Sequence, residues 1–162
     1  MMKSFRRLKI VSGGQTGVDR AALDFAIQHD MKHGGWCPRG RLAEDGVISA
    51  IYQLRETDSA EYAERTEKNV LNSNATLIVA RAKELSGGTA FTKELAAQHG
   101  RPVIVIYEPD GAAKGAIVLS KFLRQNNVRT LNVAGPRESQ TPGLGKFVAE
   151  LLETALVAKL KP

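Results

Sequence analysis

The sequence predicts an α/β fold, a single domain over residues 1–162 with a mostly parallel sheet between two helical layers. Three observations carry that prediction. Short apolar runs alternate with amphipathic helical stretches, the order that parallel strands joined by crossovers require. Turns with glycine follow three of the runs, at Gly13–Gly17, Ser86–Thr92 and Gly135–Ser139. The chain of 162 residues suits one domain that can bury a proper core.

Leu8–Ser12 reads as the first strand and Asp19–His29 as the first helix, with Ala22, Leu23, Ala26 and Ile27 as its apolar face. Gly34–Gly40 is a short extended piece running into a loop, and Tyr52–Arg55 is a further strand. Glu61–Ser73 is an amphipathic helix that would bury Tyr62, Thr66, Val70 and Leu71. Ala75–Ala80 is a compact apolar run of the kind covered on both faces. A helix then runs from the Ser86–Thr92 turn to Gln98, and Gly100 stops it. Pro102–Tyr107 is the most β-branched run, Gly115–Gln125 is helical and Arg129–Ala134 is the last strand. Leu144, Phe147, Val148, Leu151, Leu152, Ala155 and Leu156 keep helical spacing, so the final helix runs from about Gly143 to near the C-terminus.

Composition narrows the function. The net charge is +6, and Lys3, Arg6, Arg7, Lys9, Lys159 and Lys161 account for all of it. The stretch between them is formally neutral, and aromatics are 6% of the chain, so no basic, stacking face for nucleic acid is expected. No apolar run reaches the ~20 residues that cross a bilayer. The basic segment Met1–Lys9 is followed by no signal-peptide core. The single cysteine, Cys37, forms no internal disulfide and suits a reducing compartment; a cytoplasmic protein is expected. Between Trp36 and Pro38, Cys37 reads as a small buried residue rather than a nucleophile. His29, His33 and His99 lack metal-ligand spacing, so no metal site is expected.

In parallel sheets, ligands sit beyond the carboxyl ends of the strands, where all three glycine turns should converge. Gly13, Gly14, Gln15, Thr16 and Gly17 offer a tight turn, backbone N–H groups and a hydroxyl at a helix start, a place for phosphate or another oxyanion. Asp19 lies at the same helix start, as a cap or as part of the site. The Lys-Ser/Thr pair of a P-loop is missing, and Ser12 replaces the first glycine of a dinucleotide fingerprint. Ser86, Gly87, Gly88 and Thr89 repeat the arrangement, with Thr92 one turn on. Arg20, Arg39, Arg41, Arg55, Arg65, Arg81 and Arg137 lie in or near this edge; Arg39 and Arg137 are the candidates for gripping an anion. Glu44, Asp45, Glu94 and Glu138 form no evident catalytic pair, and no catalytic residue is assigned.

Five blocks resemble a known family: Gly13–Asp24, Gly35–Gly46, Arg65–Val70, Ser86–Thr89 and Gly135–Ser139. In that order they resemble the molybdenum cofactor carrier family. The family looks like a branch of a Rossmann-like superfamily that also includes the cytokinin-activating phosphoribohydrolases and the DNA-processing protein A. The resemblance implies a Rossmann-like three-layer sandwich. It also implies a ligand, the molybdenum cofactor (molybdopterin), held at the two glycine turns, with molybdoenzymes as recipients and a homo-oligomeric assembly. Molybdopterin carries a phosphate, which suits the turns, and a pterin ring that would lie near Trp36. The phosphoribohydrolases carry a Pro-Gly-Gly-x-Gly-Thr-x-x-Glu motif with a catalytic glutamate. Here Ser86 precedes the glycines, the spacing shortens to Gly-Gly-Thr, and Thr92 stands in the glutamate's place. A non-catalytic binder is therefore expected. The alternatives are a nucleotide-processing enzyme using Glu94 or Glu138, and a nucleotide sensor.

Overall fold

The structure, a computed structural model, describes Phe5 and residues 7–157. Its centre is a five-stranded sheet in which every neighbouring pair is parallel. The strands are β1 (Lys9–Val11), β2 (Lys32–Gly34), β7 (Ala75–Ala80), β8 (Val103–Tyr107) and β9 (Thr130–Ala134), in the spatial order β2-β1-β9-β7-β8. Ile10 pairs with Leu131, and Leu77 pairs with Val133. All six residues of β7 are buried, which explains its unbroken apolar run.

Helices cover both faces. On one side lie α1 (Val18–Gln28), α4 (Ala112–Gln125) and α5 (Leu144–Leu152), whose Ala22, Phe25, Leu119, Val148 and Leu151 pack on Ile10, Leu77, Val79 and Leu131. The other side carries α2 (Tyr62–Leu71) and α3 (Gly87–Gln98), where Val70, Leu95 and Ala96 form a smaller cluster. This is the α/β layering that the pattern predicts and the Rossmann-like three-layer sandwich that the resemblance implies. Among the described residues no helix is long and apolar enough to cross a membrane. The stripe of the last helix is buried at Leu144, Phe147, Val148, Leu151, Leu152 and Leu156, and α5 continues as a π-helical turn over Glu153–Val157. The predicted remainder of that helix, and most of the basic N-terminal segment, lie outside the described residues.

Residues 32–57 depart from the sequence reading. The extended piece begins earlier, at Lys32, and Gly35 divides it into β2 and β3 (Trp36–Cys37). Gly35 has φ +125, and a Cβ there would meet the Ser12 carbonyl oxygen at 2.2 Å, so the break requires glycine. Tyr52–Arg55 is not a strand. Tyr52 sits in a turn, and the strand is β6 (Arg55–Glu56), paired in parallel with β3. The cause is Arg41, whose guanidinium donates to the carbonyls of Ile48, Ser49, Tyr52 and Leu54 and coils the segment around itself. A short hairpin, β4 (Leu42–Ala43) with β5 (Gly46–Val47), also forms there.

Helix faces differ at their margins. Phe25 replaces Ile27 on the buried side of α1, and Ile27 is exposed. On α2, Arg65, Asn69 and Val70 are buried, whereas Tyr62 and Leu71 are exposed. Helix α4 starts at Ala112 rather than Gly115, which instead packs a bare Cα against Ile106 and Leu151.

Candidate ligand-binding site

The last strand in sequence, β9, lies between β1 and β7. The turns leaving these three strands therefore emerge side by side, with α2 and α3 above them. Between them is a cavity of about 310 Å³, within the range of small-molecule sites. Each wall has a local origin. The turn after β1 brings Gly13, Gln15 and Asp19; α2 brings Tyr62, Arg65 and Asn69; the start of α3 brings Gly88, Thr89 and Thr92; the segment after β9 brings Gly135 and Arg137.

The α3 end of the cavity is open to an anion. Ser86, at the N-cap, makes no side-chain capping bond. Gly87 and Gly88 are exposed, and nothing lies within 4 Å of a Cβ placed on either. The first N–H groups of a helix have no intrahelical acceptor and carry the positive end of its dipole. Two guanidiniums stand in the same cavity and share one ring, with Arg65 at 4.9 Å and Arg137 at 5.7 Å from the Tyr62 centroid. Arg65 is buried beneath the turn and donates to the Gly13 carbonyl at 2.8 Å. A Cβ on Gly13 would meet its Nη1 at 2.5 Å, so the glycine makes room for the guanidinium.

The β1 end is different. Asp19 is the only carboxylate among the residues lining the cavity. Burial pushes its carboxyl up to about 6, against the opposing pull of Arg65, the N–H groups of Gln15 and Gly13, and Arg20. The turn expected to cradle an oxyanion thus directs two of its N–H groups at its own carboxylate. Its other donors are engaged as well. Gly14 N–H donates to Ser12 Oγ at 3.3 Å, and Thr16 N–H donates to Gln15 Oε1 at 3.0 Å.

Gln15 is 5% exposed, and its Oε1 also accepts the Glu44 N–H at 2.9 Å. Two backbone donors on that oxygen fix which way the amide points. Its Nε2 is buried with no hydrogen-bond partner among the described residues, an exception to the rule that buried donors are satisfied.

Of the thirteen expected ligand residues, Gly13, Gln15, Asp19, Gly88, Thr89, Thr92 and Arg137 line this cavity. Gly14, Thr16, Gly17, Arg39, Ser86 and Gly87 are not among its lining residues. Thr16 works elsewhere: its hydroxyl donates to Glu44 and accepts the Glu138 N–H at 3.1 Å, tying three loops together. Arg39 is exposed. Trp36 lies outside the cavity too, with Lys68 Nζ at 4.3 Å and the Arg55 guanidinium at 5.8 Å from its ring.

Neither glutamate expected to serve an enzyme reaches the cavity. Glu138 accepts the Gly143 N–H at 2.8 Å, at the start of α5, and Glu94 is exposed on α3. Glu44 accepts from Thr16 and from Ser139, and the Ser139 hydroxyl first among these holds its carboxyl below the ordinary value. Cys37 is fully buried, and burial pushes its thiol up. Among the described residues no group of three or more His, Cys, Asp or Glu is placed to hold a metal ion.

Sequence reasoning misses Tyr62, Asn69 and Asn132 and does not favour Arg65 among the arginines. The available signal is spacing: Tyr62, Arg65, Thr66 and Asn69 fall on one face of α2. Asn69 also braces the wall, because its amide both accepts the Trp36 N–H at 2.8 Å and donates to the Trp36 carbonyl at 2.9 Å.

The profile of the Circularly permutated YpsA SLOG family matches residues 10–156. A crystal structure of a protein from Syntrophus aciditrophicus SB, named as a putative molybdenum carrier protein, superposes with a TM-score of 0.90. It shares 43% sequence identity, over 92% of this chain and 94% of that one. No curated protein matches.

Proposed function

Because this chain belongs to the Circularly permutated YpsA SLOG family, we propose that it is a carrier that binds a phosphorylated small molecule without transforming it. The ligand proposed is the molybdenum cofactor, molybdopterin, whose phosphate would sit at the start of α3. One observation carries the reading: the uncapped N-terminus of α3 shares a cavity with Arg65 and Arg137. Two guanidiniums and a helix dipole face one partly ionised carboxylate there, so the field favours an anion. The name of the Syntrophus aciditrophicus protein supports the choice of cargo. Molybdoenzymes as recipients, a homo-oligomer and a cytoplasmic location belong to the same proposal.

The test is mass spectrometry of small molecules released from the protein purified out of a cell that makes molybdenum cofactor. Molybdopterin or its oxidised fluorescent products at near-stoichiometric amounts are expected. A nucleotide, or no ligand, would overturn the carrier reading.

Asp19 supports a second reading, a nucleotide-processing enzyme. A carboxyl at about 6 inside the cavity is tuned for proton transfer near neutral pH. Incubation with nucleoside monophosphates should then release a base, and Asp19→Asn should abolish the release. Intact nucleotides after prolonged incubation would remove this reading.

A further inference from the structure

We propose that Gln15 and Asp19 together read the edge of a 2-amino-4-oxo heterocycle, the pattern shared by guanine and the pterins. This rests on the phosphorylated-ligand reading and adds to it the residues that would read the ring. Such an edge presents a carbonyl acceptor, a ring N–H donor and an amino donor in a row. Its complement is one donor followed by two acceptors. The loop after β1 and the first turn of α1 carry that complement on Gln15 and Asp19, both lining the cavity.

Gln15 supplies the donor. Its amide cannot exchange ends, because Thr16 N–H and Glu44 N–H both bond to Oε1. Nε2 is left buried without a partner among the described residues. An unmade hydrogen bond on a buried amide is costly, and a ligand carbonyl reaching Nε2 would recover it.

Asp19 supplies the two acceptors. An ionised carboxylate offers about four lone-pair sites and no donor. The backbone N–H groups of Gly13 and Gln15 pull it toward the ionised form, and its lone pairs remain for a ring N–H and an amino group. Burial pushes the carboxyl up to about 6 against the pull of Arg65, the two backbone donors and Arg20, so it carries the ionised form that this pairing needs at the pH of the titration below. Adenine fits badly, because its ring nitrogen would set a lone pair against the carboxylate and its amino group would meet the Gln15 donor. A site with buried polar groups rejects a ligand that leaves them unpaired.

The experiment is calorimetric titration of the full chain, near pH 7.5, with GMP, IMP, AMP and a 6-hydroxymethylpterin monophosphate. All four carry a phosphate, and they differ at the ring edge. GMP, the pterin phosphate or both should bind at least about tenfold more tightly than AMP, the worth of one charge-assisted hydrogen bond. IMP, which keeps the carbonyl and ring N–H but lacks the amino group, should fall between. The tighter of the first two identifies the source of the ring.

Two variants separate recognition from folding. Asp19→Asn should weaken the tighter ligand about tenfold and leave AMP within about twofold. Gln15→Glu keeps the oxygen that holds Thr16 and Glu44 but removes the donor, and should weaken every ligand with the ring carbonyl. AMP binding as tightly as the better of GMP and the pterin phosphate would overturn this inference while leaving the phosphorylated-ligand reading in place. Binding of none of the four would overturn both.

Discussion

Asp19→Asn should stabilise the protein at neutral pH, and by an amount that grows with pH. The carboxyl is held at about 6 in the folded protein against an ordinary value of 3.8. That difference makes ionising it about 3 kcal/mol harder in the folded state than in the unfolded chain. The sign follows from proton counting. Between these two values the folded protein holds more protons than the unfolded chain, so stability contributed by Asp19 falls as pH rises. Below about 3.8 the group costs nothing in either state; above about 6 the full penalty applies. Between about pH 4.5 and 7.5 roughly 2 kcal/mol of it should accrue. Asparagine stays neutral throughout, although its lost acceptor weakens one backbone N–H bond by about 1 kcal/mol. The measurement is the difference in thermal midpoint between Asp19→Asn and the parent at several pH values, which cancels every group they share. For a chain of this size the difference should widen by about 4–8 °C from pH 4.5 to 7.5, with the variant higher at the alkaline end. A difference independent of pH, or one that shrinks as pH rises, would refute the account of a carboxylate ionised against its surroundings.

Two further outcomes are expected. Arg137→Ala should weaken a phosphorylated ligand about tenfold in calorimetric titration while shifting the thermal midpoint by less than about 2 °C, because its guanidinium stands over Tyr62 in the cavity and its removal leaves no buried charge. Gly14→Val should cost about 2 kcal/mol or more in urea denaturation. Gly14 has φ +75, and a Cβ there would meet Leu54 Cδ1 at 2.6 Å, so the damage falls on the fold before it reaches any ligand.

The sheet and its layers were legible because their signals are local and apolar. Ala75–Ala80 announces a buried strand by composition, and the Leu144–Leu156 stripe announces a packed helix by period. The lobe over residues 36–56 was not legible. Its shape depends on one guanidinium, that of Arg41, reaching four carbonyls, and on Trp36–Cys37 pairing with Arg55–Glu56. No period or propensity encodes either. The candidate site divides in the same way. Glycine turns mark where strands meet helices, so the position of the cavity could be read. What each donor bonds to could not, since Thr16 is committed to Glu44 and the N–H of Gly14 to Ser12 Oγ. Arg65 was not favoured over the other arginines, and Tyr62 was read as packing, because a helix face turned toward a polar cavity has the same composition as one turned toward water.

The place of β9 has a consequence for how the molecule is made. Its two neighbours, β1 and β7, do not pair with each other; each pairs with β9. Until Thr130–Ala134 has left the ribosome, β1 and β7 lack the strand that joins them, and each would keep an inner edge of unpaired backbone. Inserting the final strand closes both edges at once and brings the walls of the cavity together. Assembly therefore waits on synthesis, and a ribosome stalled before Thr130 would present a sticky intermediate with no completed pocket. Ligand binding should be an all-or-none acquisition late in translation, and the chaperones that meet this chain should meet it split along its middle.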